Sequence, residues 1–294
     1  MTLRPALIAL LLPALLPAVG QAARPFDARD MVTLDRVSSP TLSPDGRKLV
    51  VAVREVDYEA NKASAGLWIE DLLARDAAPP VRFTAEAMSV NSPAFSPDGA
   101  RVYFLSAQSG SQQLWRQDVA GGEAVQVTDF PLDIGSYKLS PDGKAVAVSL
   151  EVFPDCADLA CTRSRLDEKA AAKTTGVVYD KLFVRHWDTW MDGRVNQLYV
   201  AGFGADGKAT GEPVRLGGSV LGDIPSKPFG DASDYTWAPD GQSIVYSVRA
   251  ADRGEAWSTN FDLHRAWVRA RRAPQNLTAA NPATDTGPVF SADG

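Results

Sequence analysis

One tetrapeptide constrains this chain more than any other feature. Ser-Pro-Asp-Gly occurs at Ser43–Gly46, Ser96–Gly99 and Ser140–Gly143, with degenerate copies at Ala238–Gly241 and Ser291–Gly294. Proline fixes φ at the second position of a turn, aspartate hydrogen-bonds to its own neighbouring backbone, and glycine takes the left-handed conformation. Each copy follows a short run of alternating apolar residues (SSPTL, SPAF, SYKL, YTW, GPVF). The first four copies also precede a run of strand formers: KLVVAVREV, ARVYFLSA, AVAVSLEV and SIVYSVRA. Apolar run, turn and second apolar run together predict a β-hairpin, repeated along the chain.

Two further segments recur in each unit. One places an aromatic after an apolar residue, at Leu67-Trp68, Leu114-Trp115, Leu198-Tyr199 and Ala266-Trp267. The other reads VRFT from Val81, VQVT from Val125, VRLG from Val214 and QNLT from Gln275. Four strands per unit in tandem predict an all-β fold: a β-propeller of four four-stranded blades plus the start of a fifth. The spacing between the third and fourth turns is about twice the others, yet it holds only one third-strand and one fourth-strand segment. An insertion at about 154–192 in blade three therefore accounts for the surplus, and its RLDEKAAAK stretch has helix-forming composition. The last turn falls where a second strand of blade five is due, so the native product is expected to continue past Gly294.

Residues 1–22 carry Arg4, an apolar run from Ala6 to Val19 broken by Pro13 and Pro17, and small residues before Ala23. That pattern predicts a signal peptide, too short for the ~20 apolar residues of a membrane span. The mature propeller domain is then 23–294, periplasmic or secreted, with no membrane span after signal removal. Export places Cys156 and Cys161 in an oxidising compartment, which predicts a local disulfide; a metal site would need further ligands, and no histidine is close to either in sequence. The formal net charge is −6 with both signs interspersed, which argues against a nucleic-acid partner.

Catalytic signatures are sparse. The nearest approach to a G-x-S-x-G elbow, Gly217-Gly218-Ser219-Val220-Leu221, fails at its last position. The only two histidines, His186 and His264, are far apart, and a structural role is expected for both; His264 reads as a surface or edge residue of the blade-four third strand. No metal site, cofactor or catalytic residue is assigned. The segment Val184–Gly193 does concentrate Trp187, Trp190, Asp188 and Asp192 in the insertion. Loops on rigid scaffolds carry binding residues, and aromatics with carboxylates suit a peptide's cationic N-terminus. The alternative is structural: the tryptophans pack the insertion onto its blade and Arg185 pairs with Asp188.

With its turns, its cysteine insertion and the segment Tyr179–Val200 (YDKLFVRHWDTWMDGRVNQLYV), the mature chain resembles the N-terminal propeller of the prolyl oligopeptidase family of serine peptidases. Within that family it is most similar to dipeptidyl-peptidase V-like and acylaminoacyl-peptidase-like members. The resemblance implies a separate α/β-hydrolase domain of the same protein, absent from this chain, and short peptides as substrates. It also implies that the propeller gates entry and anchors the substrate amine; no Glu-Glu pair is present, so Asp188 and Asp192, with Trp187 and Trp190, are the substitutes. The competing reading is a TolB-like exported propeller that binds proteins without catalysis.

Overall fold

The computed structural model describes residues 24–294 except 75–78, 181, 219, 251–253, 271 and 292. The expected signal peptide and Ser219 lie outside the described residues. A short helix, α1 (Ala28–Thr33), opens the described chain, closed at its start by a capping box between Asp27 and Asp30.

Four antiparallel four-stranded sheets follow, one per repeat. Blade one is β1 (Arg36–Leu42), β2 (Lys48–Asp57), β3 (Lys62–Asp71) and β4 (Val81–Arg82). Blade two is β5 (Val90–Phe95), β6 (Arg101–Ser106), β7 (Gln113–Asp118) and β8 (Val125–Gln126). Blade three contributes β9 (Ile134–Leu139) and β10 (Ala145–Val152). Helix α2 (Leu159–Ala171) and a hairpin of β11 (Arg185–His186) and β12 (Thr189–Trp190) intervene before β13 (Val195–Phe203) and β14 (Ala209–Arg215) complete it. Blade four is β15 (Tyr235–Trp237), β16 (Ser243–Val248), β17 (Asp262–Trp267) and β18 (Gln275–Asn276). The long interval is thus one blade carrying an insertion, with β10 paired directly to β13 across it. The run before Ser291 joins no ladder among the described residues, although Gly294 N–H donates to Ser291 O as in the other four turns.

The turns are built alike. The serine hydroxyl donates to the aspartate Oδ1 at 2.5 Å in Ser43–Asp45 and Ser96–Asp98 and 2.6 Å in Ser140–Asp142. That oxygen also accepts the N–H of Arg47, Ala100 or Lys144. Gly46 and Gly99 have φ +69° and Gly143 and Gly241 φ +66°, and a Cβ added to Gly99 or Gly143 would lie 3.5 Å from Pro44 or 3.4 Å from Pro97. The second, third and fourth turns therefore each rest against the proline ring of the turn before, and the repeat there is a blade-to-blade contact as well as a hairpin.

Three apolar cores separate the four blades. Val50, Leu67 and Phe104 meet between blades one and two, Leu114, Val148 and Tyr199 between two and three, and Leu198, Ile244 and Tyr246 between three and four. The second strands record this sandwiching. β6 and β10 are buried almost continuously, as strands covered on both faces are; β16 of blade four is buried throughout as well, whereas β2 alternates buried and partly open positions. Polar contacts cross between the first strands as well: Tyr137 OH donates to Ser92 O, and Trp237 Nε1 to Lys138 O.

The third strands carry a further repeat. The Thr84, Thr128 and Thr278 hydroxyls accept the N–H of Leu67, Leu114 and Leu263 at 3.0, 2.9 and 3.0 Å. This register corrects the blade-four assignment: Leu263-His264, not Ala266-Trp267, is equivalent to Leu67-Trp68. His264 therefore occupies the aromatic position. It is half-buried and stacked on Tyr246 at 5.9 Å rather than at the surface, and burial lowers its pKa. In blade three Gly217 replaces the threonine, at φ +72°, and a Cβ there would meet the Tyr246 hydroxyl at 2.5 Å. The neighbouring tyrosine occupies the space the threonine side chain would need.

Candidate functional site

The insertion leaves blade three at the rim opposite the Pro-Asp-Gly turns. Its first part is anchored firmly. Cys156 and Cys161 form a disulfide, and Asp158 caps α2 by accepting Cys161 N–H at 2.8 Å. Arg165 holds Asp155 through two bonds of 2.9 Å and lies over the Phe153 ring. Leu159 is buried in the core between blades two and three. Helix, cap and disulfide thus fix the base from which the hairpin projects.

The hairpin carries the four predicted site residues, and the structure separates their roles. Trp187 is 71% exposed and Trp190 59% exposed. Trp187 adopts φ 46° and meets the His186 ring at 5.0 Å and the Phe229 ring edge-on at 5.3 Å. Phe229 comes from the connection between blades three and four. Trp190 neighbours Tyr179 at 6.0 Å, and Arg185 lies 5.4 Å from its ring centre. The tryptophans are therefore mostly open to solvent, and Arg185 pairs with Trp190 rather than with Asp188. Asp188 is exposed, and among the described residues it has no hydrogen-bond or ion-pair partner.

Asp192 is placed differently. It is half-buried and accepts Arg194 N–H at 3.0 Å and Arg194 Nε at 2.7 Å. Burial raises its pKa, but the two bonds and the charge of Arg194 outweigh that and hold the carboxyl below its ordinary range. Arg194 continues to Glu151 at 2.8 Å, Glu151 pairs with Lys227, and Lys227 lies 3.5 Å from Asp223. Asp223 accepts Asn196 N–H at 2.7 Å, and its pKa is raised by burial despite Lys227. This chain of charges ties the end of the insertion to β10, β13 and the connection to blade four. Glu151, Arg194, Asp223 and Lys227 were not singled out from sequence, because no motif links residues this far apart along the chain.

No family model matches the chain. It is 32% identical over 275 residues to the dipeptidyl-peptidase 5 of Porphyromonas gingivalis, covering 90% of this chain and 37% of that protein. The chain is a propeller domain related to the dipeptidyl-peptidase 5 and acylaminoacyl-peptidase family. The dipeptidyl-peptidase 5 of Porphyromonas endodontalis is 29% identical over 266 residues, covering 90% of this chain and 36% of that protein. Among solved structures, an acylaminoacyl peptidase in complex with Z-Gly-Gly-Phe-chloromethyl ketone superposes with a TM-score of 0.58 at 16% identity, over 85% of this chain and 33% of that one. The Pyrococcus horikoshii acylaminoacyl peptidase gives 0.56 at 16% identity, over 84% and 33%. These superpositions show the fold. The chain spans less than two-fifths of the length of each of these relatives.

Among the described residues no group of three or more His, Cys, Asp or Glu side chains is arranged to hold a metal. The one hydrogen bond of a histidine ring is between His264 Nδ1 and Asp262 O, so no serine–histidine pair exists among the described residues. Among the described residues no helix is long and apolar enough to cross a membrane.

Proposed function

We propose that this chain is the substrate-gating propeller of an exported, periplasmic or secreted serine peptidase that releases dipeptides or short units from the N-termini of short peptides. Catalysis belongs to a hydrolase domain of the same protein, and the propeller binds. The observation that carries the reading is the 32% identity to a dipeptidyl-peptidase 5 over nearly the whole chain. The exposed Trp187 and Trp190 flanking Asp188 support it locally. In this reading Asp188 receives the substrate ammonium, the two indoles pack beside it by cation–π contact, and Asp192 with Arg194 keeps the hairpin seated.

The full-length protein tests it. Dipeptidyl naphthylamides with a free N-terminus are expected to be hydrolysed and their N-acetylated counterparts not. Asp188→Asn is expected to raise KM about tenfold for the free-amine substrate with little change in kcat, because an interaction made equally in ground and transition states is lost. Equal hydrolysis of blocked and unblocked substrates, or unchanged KM in Asp188→Asn, would remove the anchor role.

A further inference from the structure

A second polar feature lies on the same rim, at the open end of blade one. Arg36 on β1 and Arg54 on β2 are directly opposite each other in the antiparallel ladder. Directly opposed side chains share one face of the sheet with Cβ atoms about 4.5–5.5 Å apart, and like charges in that position destabilise the pair. Elsewhere blade one compensates its charges: Arg82 holds Glu55 at 2.7 Å, and Lys48 lies 3.5 Å from Asp71. Arg36 and Arg54 have no such relief. Among the described residues neither guanidinium has a carboxylate within ion-pair distance or donates a hydrogen bond. This occurs in a chain whose formal net charge is −6.

Both arginines line a groove of about 570 Å³ formed with α1 and the β2–β3 turn. Lys62 adds a third cation, and Val32, Val56 and Tyr58 supply apolar wall. One carboxylate, Asp57, also lines it, but its Oδ1 accepts Ala60 N–H at 2.9 Å within the turn. Asn61 takes φ 51° in the same turn. Two adjacent guanidiniums present a fork of N–H donors that matches a planar carboxylate, while the apolar wall fits an organic body and not a bare inorganic anion.

We propose that Arg36 and Arg54 form a binding site for an organic carboxylate, such as a peptide C-terminus, on the rim of blade one. The bound anion supplies the counter-charge that the fold leaves out. The site is independent of the amine anchor, so its probe carries a blocked N-terminus.

The experiment is calorimetric titration of the full-length protein with acetyl-D-alanyl-D-alanine, its C-terminal amide and inorganic phosphate. The acid is expected to bind at least about tenfold more tightly than the amide, since one charge-assisted pair is at stake, and phosphate is expected not to compete. Arg36→Gln and Arg54→Gln are each expected to lose about tenfold for the acid. Equal binding of acid and amide, no binding of either, competition by phosphate, or affinity retained in both variants would overturn the assignment. Thermal denaturation without ligand provides the second reading. Relieving the repulsion is expected to raise Tm by roughly 1–3 °C in either variant. A fall in Tm would mean that the arginines serve the fold, and would overturn the proposal equally.

Discussion

Asp45, Asp98 and Asp142 illustrate how much of this structure is set residue by residue. Each has its pKa lowered, first by the serine hydroxyl of its own turn and then by a backbone N–H. A carboxyl whose folded pKa is depressed stabilises the fold above its unfolded pKa, and that contribution disappears as pH falls through the folded value. Ser96→Ala is therefore expected to raise the Asp98 pKa toward the ordinary ~3.9, and NMR titration of its carboxyl carbon would measure it. The stability difference between variant and parent should be largest above about pH 5 and shrink on acidification. An unmoved Asp98 titration would contradict the proposed cause. These turns were legible in sequence because every interaction in them is local. Gly217 was not: what excludes a side chain there is Tyr246 of the next blade, which sequence proximity does not reveal.

At the scale of elements, strand existence was easier to read than strand register. The hairpins and the insertion follow from periodicity and turn chemistry, but the blade-four third strand reads from sequence as Ala266-Trp267, whereas the ladder puts Leu263-His264 at the equivalent position. The deciding signal is the threonine hook, a contact between strands three and four that becomes visible only with the ladder in hand. Thr128 bears this load most fully: it is buried, accepts Leu114 N–H, and donates to Gln113 Oε1 at 2.8 Å. Thr128→Val keeps the volume, leaves the buried Leu114 N–H unpaired and removes one of the two donors to Gln113 Oε1, the other being Phe130 N–H, so it is expected to cost about 1–3 kcal/mol in chemical denaturation. Thr278→Val, in a less buried hook, should cost less. Equal and negligible effects would mean that the hook is incidental to blade cohesion. The insertion shows the same division. Its helix and disulfide were foreseen from composition and compartment, whereas the charge chain from Asp192 to Asp223 depends on segments that only folding brings together.

For the whole molecule, the account rests on radial stacking. Blades two and three have an apolar core on each side, and their second strands β6 and β10 are buried almost continuously, as is β16 of blade four, while β2 of blade one alternates. The same arrangement places the insertion, the connection to blade four and the open end of blade one on one rim. That is why a hairpin from blade three and an arginine pair from blade one qualify as parts of one binding face. A crystal structure of the full-length protein tests this most directly. It should place β1, β5, β9 and β15 in that order around a single axis, with Trp237 Nε1 donating to Lys138 O and residues 153–194 outside every four-stranded ladder. Two packed sheets in this region, or a separate blade formed by the insertion, would contradict it.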